Sequence, residues 1–442
     1  MKNIIAAIEK NRQLILDAER YIWQNPETGY KEWKTTEYLA KEYQKLGYEL
    51  TMADGITGFY TVIDTGRPGP EILILGELDS IICPLHKDAD KETGAVHSCG
   101  HNAQSATLLG IAAALKEPHM LDALCGRIRL CAVPAEELLE IEYRRELIKQ
   151  GKIRYFGGKS EFLARGYFDG VDIALMVHTS TGYRVMQGAV GCISKNIIYK
   201  GKAAHAGGAP HQGVNALYAA SCGLNAINAI RETFRESELI RVHPIVTSGG
   251  DMVNAIPETV RLESYVRGAD YESILAENKK VNRALIGAAL SIGANIEIID
   301  MPGYAPLNND PNMSALAVDA LHLVLPEETI TVHDVKGTGS TDMGDLSFIM
   351  PVVHPYCPGS TGTSHGNDYE ISNPEKACVD NAKWQLAMLK LLLENNAERS
   401  KKILKEFKPT FKTAKEYLDF IDSINDEGDR IEYSEAEAKI RL

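Results

Sequence analysis

The sequence predicts an α/β protein in which a larger domain, with a layered sheet and helices, is interrupted by a smaller α+β domain. Three observations predict it. At 442 residues the chain exceeds the length over which one hydrophobic core keeps growing. Short apolar runs alternate with helical segments through its first part. Near residue 186 this texture gives way to a succession of strand, helix, strand and helix. The expected boundaries are 1–186 and 301–442 for the larger domain, with 187–300 inserted between them.

The elements follow from periodicity. Residues 3–24 and 34–46 carry apolar side chains at helical spacing. YTVID (60–64), EILILGELD (71–79), GRIRLCAV (126–133) and DIALMV (172–177) are short apolar runs and read as largely buried strands. Between them, the Ala- and Leu-rich stretch 103–115 reads as a helix. In the inserted domain GCISKNIIYKG (191–201) and TVRLESYVRG (259–268) read as strands. A helix follows each, the first after the PHQG turn at 210–213 and the second over 271–292. Helices at 313–324 and 375–394 restore the α/β texture. The charged stretch 398–442 is expected to be helical, partly exposed and without a catalytic role.

Composition narrows the function. Hydrophobic residues make up 44% and charged residues 24%, which suits an ordinary globular core. A formal net charge of −13, with no Lys/Arg stripe, argues against nucleic acid or anionic membranes as partners. Glu9, Lys10, Asn11 and Arg12 interrupt the N-terminal apolar residues, unlike a signal-peptide core. No apolar run reaches the ~18–20 residues of a membrane span. The eight cysteines are scattered and read as reduced thiols of a cytoplasmic protein.

Metal-ligating residue types cluster at the ends of the apolar strands, where open α/β sheets place their sites. Glu77 and Asp79 close one strand. His97-Ser98-Cys99-Gly100-His101-Asn102 lies just before a helix, so Cys99 and His101 sit at a loop-to-helix junction. A thiolate and an imidazole there suit zinc, manganese, cobalt or iron better than calcium or magnesium. Pro134-Ala135-Glu136-Glu137 follows another strand, and adjacent carboxylates repel unless a cation lies between them. His178 is read as closing a fourth strand. Two Gly/Ser-rich segments, 337–356 and 361–369, bring His354 and His365, and spacing does not choose between them.

Taken in order, GELD, HSCGHN, PAEE, the strand-ending His178, KGKAAHAGGAPHQGVNAL, VNAIPE and GSTDMGDLS resemble the aminoacylase/carboxypeptidase family of dinuclear metallo-amidohydrolases. Within it, the likeness is to the branch of indole-acetyl-amino-acid hydrolases and the p-aminobenzoyl-glutamate hydrolase B subunit, over residues 20 to 395. The resemblance implies Cys99, His101, Glu137, His178 and His365 as metal ligands, with Glu77 and Asp79 supporting them. It implies Glu136 as general acid/base and His205 as a second catalytic group facing the carbonyl. Asn254 and Arg267 would contact the substrate, Arg267 its carboxylate. The inserted domain would be a lid and dimerisation domain. Asn102 and Gln104 stand where the indole-acetyl branch has Asp and a second His, and LLEIEYRRELIKQGKIRYFGGKS replaces a glycine-rich stretch.

The expected activity is hydrolysis of the amide bond of an N-acyl amino acid, such as an aminobenzoyl-glutamate-like conjugate. Water activated by two divalent ions per subunit, zinc or manganese, would attack with Glu136 as base. A dipeptidase or N-acetyl-amino-acid deacetylase would use the same site, and a protein holding one structural zinc is the non-enzymatic alternative. The expected partners are a small acyl amino acid or dipeptide and a second copy of the chain.

Overall fold

Seven consecutive buried residues, Glu71–Glu77, form the strand around which the first unit is built. The computed structural model describes residues 1–442. The first unit comprises Met1–Gly188, Leu307–Gly337 and Thr341–Lys415. Its main sheet has six strands in the order Thr51–Met52, Phe59–Asp64, Arg127–Val133, Glu71–Glu77, Ile173–Leu175 and Val352–Val353. Glu71–Glu77 runs parallel to both neighbours, with Ile74 opposite Leu130 and Leu175. A strand covered on both faces has no solvent side, which explains runs that are apolar without alternation. Every residue of the helix His101–Leu115 is buried, and it packs on this strand.

The apolar run 172–177 does not extend to His178 as one strand. Ile173–Leu175 belongs to the main sheet, and His178–Ser180 begins a four-stranded sheet with Thr331–Val332, Arg184–Val185 and Tyr356–Pro358. His178 therefore opens a strand rather than closing one. The chain changes sheets at Met176 and Val177, both fully buried, so hydrophobicity carries no mark of the break.

The second unit comprises Ala189–Pro306, Thr338–Ser340 and Glu416–Leu442. Its antiparallel sheet is ordered Arg241–Val242, Thr259–Gly268, Gly191–Lys200, Asn295–Pro302 and Asp426–Asp429, with Ile245–Ser248 also paired to Thr259–Gly268. Burial alternates along Thr259–Gly268, as a sheet covered on one face requires. The helices Ala216–Ile230 and Tyr271–Ile292 pack on each other and on the sheet. Asn215 and Asp270 cap them by accepting backbone N–H bonds.

The charged C-terminal stretch is helical only in part. Glu398–Glu406 and Ala414–Asp422 are helices, but Asp426–Asp429, Ile431–Tyr433 and Ala438–Ile440 are strands. Asp426–Asp429 extends the second unit's sheet beside Asn295–Pro302. All eight cysteines are free, and no helix is long and apolar enough to cross a membrane.

Lys195 is fully buried in the second unit, where it pairs with Asp300 and donates to Asn278 and Asn282. Asn278 and Asn282 also donate to Asp300, at 2.7 and 2.8 Å. Lys195→Met would leave Asp300 buried without its cation, a loss of about 3–5 kcal/mol. Chemical denaturation should register it, and Lys195→Met with Asp300→Leu should recover most of the stability. Equal destabilisation by the single and double changes would contradict this account of the cluster.

Candidate metal centre

Three strand ends and two loops of the first unit converge. Glu77 ends its strand fully buried, and Asp79 follows in the next loop. Cys99 precedes the helix that starts at His101, and between them Gly100 has φ 92°. A Cβ at Gly100 would collide with Thr179 Oγ1, so only glycine lets the motif pass this close to the His178 strand. Pro134 to Glu137 follow the strand Arg127–Val133, with Ala135 at φ 55°. Glu32 accepts the Ala135 N–H at 2.8 Å, and Asp79 accepts that of Glu137 at 2.7 Å. His365 lies in a loop at φ 62°, and its N–H donates to Ser98 O at 2.9 Å.

The donor atoms form three groups, each within 4.8 Å: Cys99 with His101 and His178, Cys99 with Glu137 and His365, and Glu77 with His101 and Glu136. Cys99 Sγ is common to the first two. His354 is in none of them, so the structure brings His365 rather than His354 to the cluster.

The residues fit divalent metal. His178 Nδ1 lies 2.8 Å from Thr179 O and His101 Nδ1 3.0 Å from Asp79 O. A carbonyl only accepts, so both Nδ1 atoms carry the proton and both Nε2 lone pairs turn inward, as in histidine ligands oriented from behind. His178 Nε2 is 3.3 Å from Cys99 Sγ, close to the about 3.5 Å that separates ligand atoms on tetrahedral zinc. His101 Nε2 lies 3.2 Å from Glu77 Oε2, yet neither buried atom has a hydrogen bond. With Nδ1 protonated, this contact is satisfied only by a cation at Nε2: a proton, toward which Cys99 and Glu77 push His101 against burial, or a metal ion in its place.

Charge sets the protonation of the cluster. Burial and Glu137 push the Cys99 thiol up, but His101 and His178 outweigh them and hold it near 6, which favours thiolate. Burial raises Glu136 well above the usual carboxylate range, helped by Glu77 and Glu137. Burial opposes ionisation of Glu137 too, but His365, 3.0 Å away, draws it down to about 2. Two adjacent glutamates are thus driven apart, one to hold a proton and the other to stay charged.

Two supporting residues escaped sequence reading. Lys159 is fully buried, bonds Glu77 Oε1 at 2.5 Å and pairs with Asp342. It sits in the Gly-Lys-Ser triplet at the start of the helix Gly158–Ala164. The preceding Gly158 would clash with Pro134 O if it carried a Cβ, so the triplet serves packing and charge. Glu32 is the other. Burial and the charge of Asp79 raise it to about 8, and Thr57 donates to it at 2.5 Å. An acidic residue in an otherwise amphipathic helix start offered no distinctive signal.

Residues 76–391 match the model of peptidase family M20/M25/M40. The chain belongs to that family. It is 29% identical over 422 residues to the N-acetyl-L-cysteine deacetylase of Bacillus subtilis, covering 89% of this chain and 91% of that one. To the indole-3-acetyl-aspartic acid hydrolase of Enterobacter agglomerans it is 28% identical over 331 residues, covering 62% and 70%. In fold it resembles a Bacillus subtilis protein described as a dinuclear metal binding peptidase of the M20 family. The TM-score is 0.63 at 20% identity, covering 88% of this chain and 99% of that one. This M20-family chain is therefore a metal-dependent hydrolase of amide bonds.

The remaining expected residues lie in the second unit. His205 is exposed, and its Nδ1 accepts the N–H groups of Gly207 and Gly208 at 3.2 and 2.9 Å, leaving Nε2 as the donor. A bridge between His205 and Ala255 brings exposed Asn254 alongside. Arg267 stacks on Tyr265 and donates to Ser340 Oγ at 3.3 Å.

His97 and His354 are buried with neither ring nitrogen bonded, and burial pushes both down to about 3. Between pH 3 and 6.5 the unfolded chain therefore binds protons that the folded chain does not. Their contribution to stability is complete above the unfolded value and is lost as pH falls toward the folded one. His354→Phe should flatten the pH dependence of unfolding free energy across this window by about 1.4 kcal/mol per pH unit. Denaturant titrations at several pH values check this, and an unchanged slope would mean that His354 is already charged in the fold.

Proposed function

We propose that this M20-family hydrolase cleaves the amide bond of an N-acyl amino acid at a two-metal centre. The observation that carries the reading is the sharing of Cys99 Sγ between two ligand groups. Cys99, His101 and His178 would hold one ion, and Cys99, Glu137 and His365 the other. Zinc or manganese would suit this donor set, and the bound ions would supply an acidified water and a Lewis acid for the scissile carbonyl.

The chain's own residues manage protons and position. Burial gives Glu136 a strong affinity for a proton; bound cations beside it would keep it ionised at rest, so that it could take a proton from the attacking water and return it to the leaving nitrogen. Asp79 holds His101 from behind, with Oδ1 3.1 Å from Nδ1, while Glu77 Oε2 faces the inward Nε2 at 3.2 Å. By the resemblance of their motifs, His205 would offer its Nε2–H as an oxyanion donor and Arg267 a planar fork for a substrate carboxylate. An aminobenzoyl-glutamate-like conjugate is the substrate class we favour, and the free cysteines support a cytoplasmic location.

Glu136→Gln is expected to keep its metal content and lose about 10²–10⁴ in turnover. Cys99→Ser should lose both ions together with activity, because one sulfur serves both. Elemental analysis beside hydrolysis of a panel of N-acyl amino acids, N-acetyl amino acids and dipeptides tests the scheme. Retention of one full equivalent of metal in Cys99→Ser would contradict the shared thiolate. Exclusive cleavage of N-acetyl amino acids or dipeptides would replace the aromatic-acyl reading.

We also infer a homodimer formed through the second unit, where Ile245, Met252 and Val253 are 60%, 61% and 99% exposed and Ile245–Ser248 is an outer strand. Sedimentation velocity should report a two-chain particle that Ile245→Glu shifts toward monomer. A monomeric unmodified protein at micromolar concentration would refute the dimer.

A further inference from the structure

Tyr356 pairs with His178 on one side and with Arg184 on the other. Directly paired residues project from the same face of a sheet, so the three side chains form a row across three strands. The row starts at a proposed metal ligand. Tyr356 and His178 have ring centroids 6.0 Å apart, and the Arg184 guanidinium carbon lies 4.7 Å from the Tyr356 ring centroid. Ser180, two residues beyond His178 and hence on the same face, accepts from Arg184 Nη2 at 2.7 Å.

That is the guanidinium's one hydrogen bond. Its Nε is buried without a partner, and it makes no ion pair although an acidic cluster lies at the other end of the row. Those acids are engaged elsewhere: Glu77 by Lys159, Glu137 by His365, and Asp79 by the Glu137 N–H. Arg184 therefore does not neutralise the site's own charge. Stacking on Tyr356 fixes the plane of a partly exposed cation whose remaining donors are uncommitted.

We propose that Arg184 determines specificity by receiving a carboxylate of the substrate, an inference that rests on the acyl-amino-acid reading of the site. The planar fork matches a carboxylate in paired hydrogen bonds, and its position in the same sheet as His178 ties the anion's place to the cluster. The carboxylate is either the α-carboxylate or one on the side chain of an acidic amino acid.

The test uses the full-length, metal-loaded protein with Arg184→Met and Arg184→Lys. Three substrates share one acyl group: an N-acyl-glutamate, the N-acyl-glutamine and the α-amide of the glutamate. Arg184→Met should raise KM about tenfold or more for the substrate bearing the recognised carboxylate, with kcat reduced less than about threefold. Arg184→Lys should recover part of the loss. Loss of the preference for glutamate over glutamine assigns the side-chain carboxylate; loss of the preference for acid over α-amide assigns the α-carboxylate. Unchanged discrimination in Arg184→Met overturns the proposal, as does a fall in kcat common to all three substrates. Calorimetric binding of glutarate at equal metal content needs no turnover and should weaken about tenfold in Arg184→Met. If the unmodified protein cleaves none of the panel while glutarate binding still depends on Arg184, the acyl-amino-acid reading falls and the carboxylate site stands. If glutarate then binds both proteins alike, the site falls with it.

Discussion

Glu77, Asp79, Glu136, Glu137 and Asp342 are all buried in the first unit, at or near strand ends. Like charges removed from water repel strongly, and each also loses its hydration, so such a group persists only where countercharges, donors or protons offset it. The fold supplies all three. Lys159 binds Glu77 and Asp342 together, the Glu137 N–H donates to Asp79, and burial keeps Glu136 near neutrality. What remains is Cys99, shifted toward thiolate, the inward Nε2 atoms of His101 and His178, and the charged Glu137. Divalent cations at that point complete the balance, so the need for metal follows from the same constraint that dictates the buried lysine.

Holding those groups at fixed separations costs local backbone strain. Ala135 and His365 lie in the left-handed region, where residues with a Cβ are disfavoured by about 1 kcal/mol or more. Both are anchored by hydrogen bonds from outside their own segments, Ala135 by Glu32 and His365 by Ser98 O. The turn at Ala135 sets Glu136 and Glu137 in different surroundings although they are neighbours in sequence, and only Glu137 meets His365. Pre-organisation of this kind is what lets two identical side chains differ in protonation.

The parts of the fold legible in the sequence were those set by local pattern. The buried strands Glu71–Glu77 and Arg127–Val133 and the helix Tyr271–Ile292 have clear periods and bounds. The candidate ligands stood out because metal-ligating residue types recur beside several apolar strands in turn, although each motif alone is weak. Lys159 did not, because its partners lie 82 and 183 residues away and its own neighbourhood looks like a glycine turn. The sheet change before His178 was hidden because Met176 and Val177 are as apolar as a continuing strand. The C-terminal strands were missed for the opposite reason: Asp426-Glu427-Gly428-Asp429 has no apolar alternation, and its pairing comes from an edge offered by Asn295–Pro302.

Asn102 shows how a departure within the motif is absorbed by the packing around it. Its Nδ2 donates to Glu19 Oε1 at 2.8 Å, and both side chains are buried. Burial raises Glu19, with Arg20 and Asn102 pulling in the opposite direction. An aspartate at 102 would replace a donor with a second carboxylate and raise Glu19 further, repeating behind the cluster the repulsion that the cluster already has to offset. A neutral donor at 102 is therefore the residue that a buried Glu19 requires. The helix Arg12–Trp23, which carries Glu19, packs on the helix His101–Leu115. The residue after the proposed ligand His101 is thus chosen by the far side of its own helix, and it leaves the donor set free of an additional acid.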